Sequence, residues 1–154
     1  MPAGSEPRSV RLPHTFRPYG VRIAASIFGT LLLVVVAVTW WALPAHIRAQ
    51  FTPFQVLTLL ALGALFYGSG YALARSRVVA REDGLTVVNG YRSRRFEWSQ
   101  VLKVSLRPGS PWAVLDLSDG TTLSAMGIQG SDGRRARVQA RDLQRLVDDL
   151  SAPR

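Results

Sequence analysis

The sequence predicts an α+β membrane protein, in which a two-helix transmembrane hairpin is followed by a meander of six or seven short β-strands and a C-terminal helix. Three observations predict it. Residues 23–43 and 54–74 contain no charged residue, and a helix needs about 20 apolar residues to cross the hydrocarbon core. From Arg77 onward the pattern changes to short alternating runs separated by turn signals. Residues 134–150 then repeat apolar side chains at helical spacing.

The hairpin comes first. Hydrophobic residues make up 47% of the chain, a globular average that hides their concentration in the two spans. A cleaved signal peptide fits the first span poorly. Its apolar stretch exceeds the roughly 7–15 residues of a signal h-region, and Leu43 stands where a small-x-small cleavage site ending at Ala45 needs a small residue. The formal charge of +9 is unevenly placed. Residues 1–22 carry Arg8, Arg11, Arg17 and Arg22 against Glu6, residues 44–53 carry only Arg48, and the chain from Arg75 carries thirteen arginines and Lys103 against nine acids. Lys and Arg stay on the cytoplasmic side of membrane spans. Residues 1–22 are therefore expected as a cytoplasmic tail, residues 44–53 as an external loop, and both termini as cytoplasmic, in a multi-pass protein of the cell membrane. Trp40, Trp41, Phe51 and Phe54 collect at the outer end, and Phe16 and Tyr19 precede the inner end, depths that amphipathic rings favour.

Small residues let membrane helices approach closely. Ala25 and Gly29 are four apart in the first span, and Ala64, Gly68 and Ala72 form a four-residue ladder in the second. At a 1.5 Å rise per residue, Ala25 and Ala72 lie about 3 Å inside the inner edge, and Gly29 and Gly68 about 9 Å. These five residues are the expected helix-packing face. Neither span contains an ionisable residue, which a proton relay or ion path needs; a transporter or pump is therefore not expected.

The domain at residues 76–150 opens with a strand over 76–81, a hairpin signal at Asp83-Gly84, and a returning strand over 85–89. Asn89-Gly90 is a second turn. Arg95, Phe96, Glu97 and Trp98 alternate charge and aromatic, which places Phe96 and Trp98 on one inner face. Residues 101–107 put Leu102, Val104 and Leu106 on one face, and the runs 112–117 and 121–126 pair across Asp119-Gly120. Over 134–150, Leu143, Leu146, Val147 and Leu150 share a helix face with Ala136 and Ala140.

The run Asp83-Gly84-Leu85-x-Val87-x-Asn89-Gly90-x-Arg92-x-Arg94-Arg95, with Trp98-Ser99-x-Val101, Pro111-Trp112 and Leu117-x-Asp119-Gly120 after it, resembles the bacterial PH domain of the low molecular weight protein antigen 6 type. The resemblance implies an actinobacterial membrane protein and a PH-like fold over residues 76–150. Its motifs are turn and core residues, so it implies a fold and hardly an activity. PH domains have seven strands where six are counted here. A seventh is therefore expected within residues 127–133 or by division of one of the six runs.

No catalytic constellation, metal site or cofactor is expected. The absence of cysteine excludes disulfides, thiolate metal sites and cysteine nucleophiles. His14 and His46 fall on opposite sides of the membrane in this topology. Asp83, Asp119 and Asp132 each precede a glycine, where turn chemistry accounts for them. Residues 130–133 lack the lysine and spacing of a phosphate loop. Trp98 and Trp112 read as core rather than a ligand cage. Nucleic acid is not an expected partner, because no element interleaves aromatics with its charges.

What remains is a non-enzymatic, membrane-tethered PH-like interaction module that binds a protein partner or anionic lipid headgroups at the inner membrane face. The alternatives are a small accessory subunit assembled into a membrane complex through the hairpin, or an enzyme with an unrecognised site; a homo-oligomer is compatible with each. In an unbroken up-and-down meander the segments nearest the membrane carry Arg75, Arg77, Arg92, Arg94, Arg95, Arg107, Arg134, Arg135 and Arg137. The far turns carry Glu82, Asp83 and Asp119. An anionic inner leaflet favours that sorting, and the expected binding residues are Arg92, Arg94, Arg95, Arg134 and Arg135.

Overall fold

The computed structural model describes residues 10–151 and divides them into two compact units, residues 19–75 and residues 10–18 with 76–151. The first unit holds helix α1 (Tyr19–Ala42), a short helix α2 (Ala45–Arg48) and helix α3 (Pro53–Arg75). Both long helices are long and apolar enough to cross a membrane, and almost none of their surface is buried, so neither is the core helix of a soluble fold. Three of their hydroxyls are satisfied within the helix: Ser26, Thr58 and Ser69 donate to the carbonyls of Arg22, Phe54 and Leu65 at 2.8–2.9 Å. That is what an apolar medium requires. The start of α3 is a reciprocal capping box. Thr52 N–H donates to Gln55 Oε1 and Gln55 N–H to Thr52 Oγ1, with Pro53 at the first helical position, where a missing N–H costs nothing.

The second unit is a two-sheet β domain with a C-terminal helix. Strands β1 (His14–Phe16), β2 (Arg77–Arg81), β3 (Gly84–Asn89) and β4 (Arg92–Phe96) form one antiparallel sheet in that order. Strands β5 (Val101–Ser105), β6 (Trp112–Leu117) and β7 (Thr122–Gln129) form the other, and helix α4 (Arg134–Ser151) packs on β5 and β7. One core fills the space between them. It holds Phe16, Val78, Leu85, Val87, Trp98, Val101, Leu115, Ile128, Leu143 and Val147 among others. The two sheets meet where β7 crosses β2 and β3. Gly127 makes that crossing possible: a Cβ there would lie 2.7 Å from the Cα of Arg77 and the nitrogen of Val78.

The seventh strand is not where the sequence placed it. Residues 127–133 finish β7 and a 3-10 turn, and the six runs are undivided; the strand comes from His14–Phe16, ahead of α1. It pairs antiparallel with β2, Phe16 opposite Val78, and Phe16 is fully buried. Part of the segment read as a tail therefore belongs to the β domain, while Glu6 and Arg8 lie outside the described residues. The helical segment is an insertion between the first two strands of a sheet.

Three local expectations also change. Arg81 pairs with Gly84, so the first hairpin turns on Glu82 and Asp83 rather than on Asp83-Gly84. A bulge between Val101 and Lys103 displaces Leu102 from the face it was expected to share with Val104 and Leu106, and Leu102 is 60% exposed. Trp98 is buried, but from a 3-10 turn (Trp98–Gln100) rather than from the strand that carries Phe96; its indole N–H donates to the Arg81 carbonyl at 3.0 Å. Helix α4 buries Ala136, Ala140, Leu143, Leu146 and Val147, the face its spacing predicts.

Candidate functional site

The arginines expected to form one rim are distributed by strand geometry. Residue Arg92 opens β4 opposite Asn89, beside the two-residue turn Gly90-Tyr91. That turn is fastened to the first residue after α3: Gly90 N–H donates to Ser76 Oγ at 2.9 Å, and Ser76 is buried. A strand advances about 3.3 Å per residue, so Arg95 lies about 10 Å further along β4. There it pairs with Asp83 of the opposite turn. Arg94 stands between Arg92 and Arg95 in β4, and its charge reaches Asp119 in the β6–β7 turn. That carboxyl is held below its usual pKa chiefly by hydrogen bonds from the Thr121 hydroxyl and backbone N–H, with Arg94 adding a smaller electrostatic contribution. The expected trio on β4 thus spreads along the strand, from Arg92 beside the turn tied to Ser76 to Arg95, which pairs with an acid that the meander argument had placed at the far pole.

Arg134 and Arg135 are exposed in the first turn of α4. Beside them the structure forms a cleft of about 320 Å³ between the β5–β6 loop and the β7–α4 connection. Arg107 lines it from the loop and Arg137 from the first turn of α4, and Ser110, Pro111, Gly130 and Ser131 belong to the same lining. The loop wall is a turn closed by Ser110 N–H donating to the Arg107 carbonyl at 3.0 Å, and it is tied across by Gly130 N–H donating to the Pro111 carbonyl at 2.9 Å. The cleft begins three residues beyond Gly127, which rests on the backbone of Arg77. The sequence placed Arg107 and Arg137 in segments of the same parity but gave no sign that they share a cavity, since the Gly130–Pro111 backbone bond that joins the two segments leaves no local pattern.

In the helical unit, Gly29 is the buried residue of α1. A Cβ there would meet the Tyr67 ring at 3.2 Å, and Tyr67 O–H donates to the Gly29 carbonyl at 2.5 Å. Ala25, Gly68 and Ala72 are half-buried, and Ala64 is exposed on the wall of an apolar groove of about 540 Å³ between the halves of α1 and α3 nearer α2. Gly29 is therefore covered by Tyr67, one position before the expected Gly68. Among the described residues no three His, Asp or Glu side chains gather in a metal-binding group. Trp112 is half-buried in β6 opposite Gln129.

Residues 75–146 match the family model of the bacterial PH domain. An uncharacterized protein of Mycobacterium bovis and uncharacterized proteins of two Mycobacterium tuberculosis strains are each 33% identical to this chain over 134 residues, covering 85% of both partners. That coverage takes in the helical segment as well as the β domain. No solved structure matches.

Proposed function

The chain belongs to the bacterial PH-domain family, and on that premise we propose that it is a membrane-tethered interaction module, its hairpin anchored in the cell membrane and its basic end turned to anionic headgroups on the inner face. One observation carries this reading. Phe16, two residues before the last residue ahead of α1, is opposite Val78, two residues after Ser76. The chain thus leaves and re-enters the sheet side by side, so residues 10–18 and 76–151 must lie on one side of the membrane. An even number of spans satisfies that condition, and the arginine excess of both segments selects the cytoplasmic side. The same end of the domain holds Arg77 and, beside the Gly90-Tyr91 turn tied to Ser76, Arg92; Gly127 of β7 rests on the backbone of Arg77, and Arg134 and Arg135 follow it along the chain. Basic side chains near an anionic leaflet gain about 1 kcal/mol each.

The lack of cysteine makes the test direct. Gln50→Cys and Ser118→Cys place single thiols in the loop between the spans and in the β6–β7 turn, both exposed. An impermeant maleimide should label Gln50→Cys in intact cells and Ser118→Cys only after permeabilisation. The reverse pattern overturns the orientation. For the headgroup contact, a dye on Tyr91→Cys should shift to the blue when anionic lipid enters phosphatidylcholine nanodiscs, and less so at high salt. A second reading, an accessory subunit assembled through the hairpin, is favoured by the apolar groove between α1 and α3, whose walls include Gly63 and Ala64.

A further inference from the structure

We propose that the cleft between the β5–β6 loop and the start of α4 is a phosphoryl-binding site, with Arg107 and Arg137 as its two cationic ligands. This deepens the headgroup reading, but it does not depend on which side of the membrane the domain occupies.

The first argument is charge. Arg107 and Arg137 line a cleft of about 320 Å³ whose lining holds no acidic residue, the nearest in sequence being Asp132 between Ser131 and Gly133. Three other arginines of the domain lie near carboxylates: Arg95 at Asp83, Arg145 at Asp142, and Arg94 within electrostatic reach of Asp119. Both cleft arginines are exposed, and a compact anion bound between two like charges is attracted by each of them.

The second argument is construction. Arg107 starts a turn locked by its own carbonyl and by Pro108 and Pro111; Gly130 ties that turn to the facing wall. Arg137 sits in the first turn of α4, its N–H donating to the Gly133 carbonyl at 3.2 Å. A Cβ on Gly130 would collide with the Ser110 carbonyl, so the two walls are in backbone contact at the base. Backbones fixed in this way leave only the arginine side chains to be ordered on binding, which limits the entropy lost.

The third argument is chemical fit. A guanidinium presents a planar fork of N–H donors that matches the oxygens of a phosphoryl group, often bidentately. Ser110 and Ser131, also in the lining, carry hydroxyls that can serve as neutral donors. The volume is at the lower end of the roughly 300–1,000 Å³ typical of ligand pockets. It suits a phosphate bearing a small polar substituent, the group found in a glycerophospholipid headgroup and in soluble phosphate esters alike.

The test uses the full chain in phosphatidylcholine nanodiscs, with ¹⁵N-labelled arginine followed through its side-chain Nε–H resonances. Arg107→Gln and Arg137→Gln assign the two signals. Glycerol phosphate is titrated into one sample; in another, phosphatidic acid replaces part of the phosphatidylcholine. The Arg107 and Arg137 resonances should shift together and saturably. Each Gln substitution should weaken binding about tenfold, the scale of one charge-assisted hydrogen bond, while Arg145→Gln leaves it unchanged. Response to both ligands supports a phosphoryl site open to either source, and response to phosphatidic acid alone supports a headgroup site. No saturable shift with either ligand overturns the proposal. Equal weakening by Arg145→Gln also overturns it, because that is the behaviour of diffuse charge. Thiol labelling reports the side of the membrane independently, so a wrong orientation and an empty cleft remain separate results.

Discussion

Asn89 joins the two sheets with a single amide. Its Nδ2 donates to the Ser124 carbonyl at 2.5 Å, and its Oδ1 accepts Met126 N–H at 3.0 Å. The side chain thereby imitates one step of a strand ladder along β7, while the next residue, Gly90, bonds to Ser76. Replacing Asn89 by Asp keeps the acceptor and sets a second oxygen against the Ser124 carbonyl. The expected loss is roughly 1–3 kcal/mol of unfolding free energy, the usual cost of leaving a buried partner unmatched. Urea denaturation of the detergent-solubilised chain measures it, and a change of only a few tenths would mean that the amide does not hold the sheets. The sequence disclosed half of this residue. Asn before Gly marks a turn by local chemistry, and the turn is there. The other half depends on which distant strand crosses nearby, which no local pattern encodes. The same limit hid the pairing of Arg95 with Asp83: the alternation of a strand is local, but the acid at its far end is not.

At the scale of elements, composition is most informative where the medium selects for it. An uncharged run of some 20 residues is legible because hydrocarbon tolerates little else, and α1 and α3 occupy those runs. Helix α4 was legible because five buried positions repeat at its period. Strand β1 was not, since a three-residue strand is shorter than the four to eight residues over which alternation can be recognised. The bulge in β5 escaped for a related reason, because one extra residue inverts the side-chain pattern beyond it. Small residues in the spans indicated close approach without fixing which neighbour does the approaching. The contact of Gly29 with Tyr67 supplies that neighbour and a discriminating pair of substitutions. Gly29→Leu must push the Tyr67 ring aside and break its bond to the Gly29 carbonyl, at a cost of about 1–3 kcal/mol for overpacking. Gly70→Leu adds its side chain where a Cβ meets nothing within 4 Å and should be neutral. Thermal stability in detergent, with both variants side by side, separates a specific helix contact from a general intolerance of bulk.

For the whole molecule the consequential feature is that its helical segment interrupts a sheet. Strand β1 is made first and cannot complete its pairing until α1, α2 and α3 have been synthesised and β2 has followed them. The β domain is then closed only if residues on both sides of the insertion reach the same compartment, so a chain inserted with an odd number of spans would have a sheet without its first strand. Phe16 tests this dependence. Its side chain is fully buried in the core with Val78 and Leu85, and Phe→Ala at such a site costs about 3–5 kcal/mol. If residues ahead of α1 were a solvated tail, Phe16→Ala would fall within the roughly 0.5 kcal/mol expected of a surface change. The expected outcome is a large loss of stability confined to the β domain, seen as faster hydrogen exchange in β2 and β3 while the amides of α1 and α3 keep their protection. Thr15→Ala, at an exposed position of the same strand, should leave exchange unchanged. Slow exchange in β2 of the Phe16→Ala chain would instead mean that the sheet closes without its first strand, and the one-sided topology argued from their pairing would lose its basis.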